Sequence, residues 1–211
     1  MSILLGLSPF VTFFALMRLA TPVTGLIGAL VVSSLLCVRM SWRGESVKIL
    51  EVGSLILFGL LTGYTLLAAP RWTVATVRLA VDGGLLVIAL VSLVIDRPFT
   101  LQYAREQVPE QYWGLPLFLR TNRIVTAVWA TTFAIFVGAD AAAEYIPAIP
   151  IWVDVAVSIA ALVGAVVFSR RYPDAVRRRA RYCEGVSRSG ATERPAAWVL
   201  MVTRAASTWR P

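Results

Sequence analysis

Four apolar stretches decide what this chain can be: Thr21 to Val38, Ile49 to Ala69, Thr73 to Ile95 and Ile149 to Ser169. Each supplies close to the 20 residues that a helix rising 1.5 Å per residue needs to cross roughly 30 Å of hydrocarbon. A fifth, from about Arg123 to Ala142, is apolar as far as Gly138 and then meets Asp140, so its outer end is expected at the interface. A sixth, Ile3 to Leu16, has only about fourteen residues and contains Pro9, which is too short for a comfortable span. The expected fold is all-α: a polytopic transmembrane helical bundle of five full spans plus one short or re-entrant N-terminal helix. The bundle occupies residues 1–169 with an interfacial loop over 96–122, and an Arg-rich cytoplasmic tail follows over 170–211. The first segment lacks a positive region ahead of its apolar run, so it is not expected to be cleaved as a signal peptide.

Composition agrees with a bilayer and removes several chemistries. Hydrophobic residues make up 58% of the chain and charged ones 15%, against roughly 45–50% and 25% in soluble domains. The chain has no histidine, which excludes a His general base, a Ser-His-Asp triad, and His-ligated haem or zinc. Its two cysteines cannot form a Cys₄ cluster and both fall on or near the expected cytoplasmic side, where a structural disulfide is not expected. No Walker loop, dinucleotide fingerprint or nucleophile elbow is present. No cofactor, metal or catalytic residue is therefore expected, and the chain reads as non-enzymatic.

The net charge of +8 resolves into topology. Seventeen of the twenty basic residues fall on one side of an alternating path, ten of them in the tail after Ser169. The positive-inside rule makes that side, with the C-terminus, cytoplasmic. Arg177, Arg178, Arg179 and Arg181 form a cluster suited to anionic lipid headgroups, at roughly 1 kcal/mol per charge near the surface. No nucleic-acid-binding fold accompanies it, so nucleic acid is not an expected partner. Trp198 to Val202 forms a short apolar patch within the tail.

Intramembrane polar residues are the candidate functional ones. Arg78 and Asp82 stand four residues apart on one helical face, with Asp82 about 14 Å in from Thr73. A lone charge at that depth costs at least roughly 2.5–3.5 kcal/mol, so the pair needs partners or water. One reading is a proton- or ion-sensitive site lined by Arg78 and Asp82, with Arg18 or Asp154 from other helices. The other is a structural ion pair, favoured because no second carboxylate is expected at Asp82's depth. Asp154 and Glu51 lie nearer the ends of their helices, where they can snorkel or bond to helix termini. Gly59 with Gly63, and Ala160 with Gly164, have the four-residue spacing that lets helices approach closely, and packing within the chain is their expected use. In the 96–122 loop, Asp96 can cap a short helix starting near Pro98 that places Phe99 and Tyr103 on one face. With Trp113, these form an expected lipid or partner surface.

The whole arrangement resembles the intracellular septation protein A family of bacterial inner-membrane proteins. The likeness covers most of residues 1 to 172: the opening Leu7-Ser-Pro-Phe-Val-Thr-Phe-Phe-Ala-Leu, the small-residue helix Thr21 to Val38, Arg97-Pro98 closing the fourth helix, and Trp113 through Asn122 leading into a Trp-bearing span. It implies a multi-pass bacterial inner-membrane protein with a role in envelope maintenance or division, acting through other inner-membrane proteins, and it brings no catalytic residues. The expected function is that of an envelope- or complex-associated interaction subunit, with oligomerisation left open. The alternative is a small ion- or proton-coupled transporter or channel using Arg78 and Asp82.

Overall fold

The computed structural model describes residues 3–44, 48–68, 73–146 and 150–189, without the side chains of 3, 4, 151 and 179–189. Among the described residues all regular structure is helical: α1 (Ile3–Gly6), α2 (Ser8–Leu19), α3 (Pro22–Trp42), α4 (Ile49–Ala68), α5 (Val74–Val94), α6 (Phe99–Arg105), a 3₁₀ turn (Glu110–Tyr112), α7 (Pro116–Tyr145) and α8 (Ile151–Ser189). The chain divides into two units, Met1–Ser169 and Arg170–Pro211.

Five helices are long and apolar enough to cross a membrane: α3, α4, α5, α7 and the Trp152–Arg178 part of α8; α2 is apolar but shorter. Their burial pattern is inverted relative to a soluble protein. Leu19, Trp42, Leu67 and Val94 are each more than four-fifths exposed, whereas Ser33, Ser54, Ser92 and Thr126 are essentially sealed. Only an apolar solvent makes that arrangement favourable. Several buried hydroxyls return their hydrogen to their own helix, as Ser54 Oγ does to the Leu50 carbonyl at 2.6 Å and Thr65 Oγ1 to Leu61 at 2.7 Å. The chain is a multi-pass membrane protein.

Helix ends are set by local chemistry. Thr21 and Thr24 form a reciprocal capping box ahead of α3, with Pro22 in the first turn. Thr73 likewise accepts from the Thr76 N–H at 3.0 Å to start α5. At the other end of α5, Asp96 adopts a left-handed φ of 56°, with Asp96 N donating to Leu93 O and Arg97 N to Ser92 O. That is a Schellman closure with aspartate where glycine is usual. Asp96 also pairs with Arg123. It therefore terminates α5 and does not cap α6, which starts behind Pro98 with no side-chain cap.

Two further expectations are corrected, and one element runs longer than its apolar stretch. Helix α7 begins at Pro116 and not near Arg123, because Pro116 is suited to a first turn and Arg120 and Arg123 fit on its end. Helical geometry in α8 continues past Ser169 to Ser189 with Pro173 inside it. The expected small-residue contacts are absent: a Cβ at Gly63 or Gly164 meets nothing within 4 Å, one at Gly59 only just reaches Leu30, and Ala160 is exposed.

Close approach falls on other glycines. A Cβ at Gly25 of α3 lies 2.9 Å from the Phe13 carbonyl oxygen of α2, and one at Gly28 meets Leu16 of α2. Between α4 and α5, Gly53 faces Ile88 and Gly84 faces Leu57, an antiparallel register. Gly25→Val is expected to push α2 off α3 and cost roughly 1–3 kcal/mol, as overpacking does. A fall in thermal midpoint in detergent checks it, with Gly63→Val, whose Cβ enters open space, unchanged.

Candidate functional site

Helices α5 and α7 pack antiparallel, and a hydroxyl–carboxylate contact sets their register at the end where Thr73 starts α5. Thr73 and Thr76 both donate to Glu144, each at 3.2 Å. Asp140, one turn earlier on α7, then faces Arg78, one turn further along α5. Asp154 arrives from the first turn of α8, where the helix dipole favours an acid.

The result is a closed cluster. Arg78 Nη1 donates to Asp154 Oδ2 at 2.6 Å, and Nη2 lies 2.7 Å from Asp140 Oδ1. The Asp82 carboxyl neighbours that of Asp140, with no hydrogen bond formed to either Asp140 oxygen. Arg78 is 8% exposed, Asp82 2%, Asp140 1% and Asp154 2%. The Phe14 ring of α2 covers the guanidinium, 5.9 Å from its centroid. Oxygens of Asp82, Asp140 and Asp154 have no aligned donor; even the close Asp140 contact is an ion pair without hydrogen-bond geometry.

Two sequence expectations change here. Arg78 bridges to α7 and α8 and makes no ion pair with Asp82: its long side chain leans toward the N-terminus of α5, away from the next turn and toward the acids at the helix ends. Asp140, expected at the interface, is buried, so Asp82 does have further carboxylates beside it. The sequence signal for Asp140 was the demand of a lone intramembrane cation for partners, which only acids near the same helix ends can meet. Arg18 is exposed on the last turn of α2 and takes no part.

A second polar cluster lies at the opposite end, around α6. Glu51 is 4% exposed and accepts from the Tyr103 hydroxyl at 2.9 Å. Lys48 lies 4.6 Å over the Tyr103 ring and 2.8 Å from Glu106. Gln102 accepts from the Ile49 N–H at 2.7 Å, and Thr100 joins Asn122 and Thr126 of α7, so α6 is tied to both α4 and α7. Phe99 and Tyr103 were expected at a lipid or partner surface but are buried, because α6 turns them toward the bundle. Burial pushes the Tyr103 hydroxyl well above the usual tyrosine range, and the Glu51 carboxylate adds to the rise, so Tyr103 stays a donor. Burial lifts Glu106, but neighbouring positive charge, the Lys48 ammonium foremost, holds that carboxyl below its usual range.

No protein-family model, curated protein or solved structure matches this chain. Of the remaining candidates, Trp113 is half-buried under Arg105 and donates to the Val108 carbonyl at 2.9 Å. Arg177 and Arg178 are exposed. The side chains of Arg179, Arg181 and Cys183, and the patch Trp198 to Val202, lie outside the described residues. Cys37 is a free thiol, and no group of three potential metal ligands occurs among the described residues.

Proposed function

We propose that this protein is a small proton-coupled membrane protein in which Asp82, Asp140 and Asp154 share one or more protons under the charge of Arg78. One observation carries the reading: a single guanidinium pairs with two carboxylates, Asp140 and Asp154, while a third, Asp82, is buried with them in a space almost closed to solvent. With every carboxylate ionised, the cluster bears an excess of two negative charges in a medium that stabilises none of them. A shared proton removes that cost, as it does for paired carboxylates elsewhere. Movement of the proton on and off the cluster then couples to passage of a small solute or ion. Acid chains of this kind mark proton relays in membrane proteins.

The setting is part of the proposal. The distribution of basic residues supports a cytoplasmic C-terminus, and the resemblance to intracellular septation protein A supports a bacterial inner membrane and a role in envelope upkeep. The interaction-subunit reading has less behind it, since Phe99 and Tyr103, two of the residues expected to face a partner, are buried.

Asp82→Asn is the test. In nanodiscs, infrared spectra of the wild type are expected to contain a protonated-carboxyl band that titrates with pH and is lost in the variant. In proteoliposomes under a potassium diffusion potential, proton entry reported by trapped pyranine is expected to fall to the level of empty vesicles. Absence of the band in the wild type, or unchanged entry in a folded Asp82→Asn protein, overturns the proposal.

A further inference from the structure

The short helix α2 links the two polar clusters. A Cβ at Gly6, the last residue of α1 just ahead of α2, falls 2.1 Å from the Tyr103 hydroxyl and 3.2 Å from Leu50, so this point of the chain touches the α6-end cluster. Phe14, eight residues on, covers Arg78 at the other cluster. At 1.5 Å per residue these points are on the order of 12 Å apart along the helix axis. Between them stand three aromatic rings. Phe10 and Phe58 are 5.1 Å apart and Phe13 and Phe58 6.0 Å, and all three residues are at most 3% exposed. Phe58 sits on the buried face of α4, two turns beyond Glu51.

The α6-end cluster has the chemistry to hold a proton. Lys48 pairs with Glu106 and also attracts Glu51, so that one cation is shared between two acids. One Glu51 oxygen accepts from Tyr103, while the other, Oε2, is buried without a partner. The charged or titratable groups facing Glu51 are Lys48, Tyr103 on α6, Glu106 after it, and Cys37 on α3. A carboxyl with one fixed donor and one empty oxygen can take up a proton without displacing anything.

We propose that Glu51, held by Tyr103, is a second proton-binding site in series with the Asp82 cluster, and that Phe10, Phe13 and Phe58 form the dry barrier between the two. Helix α2 supplies two of the three rings, which gives a half-length helix a reason to be packed so tightly into the bundle. An apolar constriction of this kind stops conduction by excluding water, so that protons cross only when the barrier opens. The inference rests on the proton-coupled reading.

The experiment uses the full-length protein in proteoliposomes under a potassium diffusion potential, with trapped pyranine as reporter. Phe58→Ala is expected to raise proton entry on the order of tenfold, the change that each ~1.4 kcal/mol removed from a barrier produces. Phe58→Leu, which keeps the site filled and apolar, is expected to match the wild type. Glu51→Gln is expected to cancel the increase when combined with Phe58→Ala. Phe10→Ala serves the same purpose should Phe58→Ala fail to yield monodisperse protein. Wild-type entry rates in folded Phe58→Ala or Phe10→Ala protein, or a leak indifferent to Glu51→Gln, overturn the inference. The two proposals fail separately: an inert Asp82→Asn removes the proton-coupled reading, whereas a normal Asp82→Asn response with inert aromatic variants removes only the second site.

Discussion

Arg78→Met is expected to destabilise the protein by about 3–5 kcal/mol, the range for removing one partner of a buried ion pair. Methionine preserves much of the length and apolar contact of the arginine stem under Phe14, so the loss reports charge and not volume. Arg78 is the cation to which both Asp140 and Asp154 are paired, and stripping it leaves those acids with no compensation. The readouts are the yield of monodisperse protein in mild detergent and its thermal midpoint. Combining Arg78→Met with Asp140→Asn and Asp154→Asn is expected to restore most of the stability, because neutral amides need no cation. Arg78→Lys should fall between, since a single ammonium cannot bridge two carboxylates as the planar fork does. A stable Arg78→Met single variant shows that the acids are already neutral or wet.

The spans were legible because the hydrocarbon thickness asks only for length and low charge, and α3, α4 and α5 meet that test by themselves. Helix α7 was harder. Its first two turns carry Arg120 and Arg123, which lower the local hydropathy, so only the apolar part beyond them stood out. The sequence around Asp96 points to the wrong helix, because an acid before Pro-Phe looks like a cap for the next one. The left-handed backbone that closes α5 on it is a tertiary outcome, reinforced by Arg123 from 27 residues away. Glycine spacing misled for a related reason: the four-residue interval says that a flat stripe exists, not which neighbour covers it. The glycines that do touch neighbours, Gly25, Gly28, Gly53 and Gly84, are selected by how α2 meets α3 and how α4 meets α5.

At the site, Arg78, Asp82 and Asp154 could be read from the sequence because charges inside apolar runs are conspicuous. Asp140 is signalled only indirectly, through the need of Arg78 for partners, because an acid near the end of a span has an ordinary interpretation at the interface. What buries it is the register fixed by Thr73, Thr76 and Glu144, and that contact joins residues about 70 positions apart. The pattern around Tyr103 points to the surface, since a seven-residue amphipathic helix after a span has the pattern of one lying in headgroups. Gln102 and Thr100 turn it inward by bonding to α4 and α7.

Trp129→Ala is the second large expected effect, and its size separates the two ways in which α8 is held. Of the α8 side chains described, only Asp154 and Ala165 are buried. Polar ties to α8 include Arg78 to Asp154, and Trp129 Nε1 to Ser169 Oγ at 2.9 Å. Trp129 is 1% exposed and packs against Phe133 in a tilted arrangement, ring centroids 5.7 Å apart. Truncating such a ring costs roughly 3–5 kcal/mol in soluble cores, and the lower end applies here because lipid also accepts apolar surface. The hydrogen bond is worth far less, about 0.6 kcal/mol for an interhelical pair in a membrane. Ser169→Ala should therefore barely move the thermal midpoint, Trp129→Phe should cost less than half of what alanine costs, and Trp129→Ala should approach the loss expected for Arg78→Met. If Ser169→Ala proves as damaging as Trp129→Ala, polar bonding and not ring packing holds α8 at that end, and the Arg78–Asp154 bridge loses its place as its dominant polar anchor.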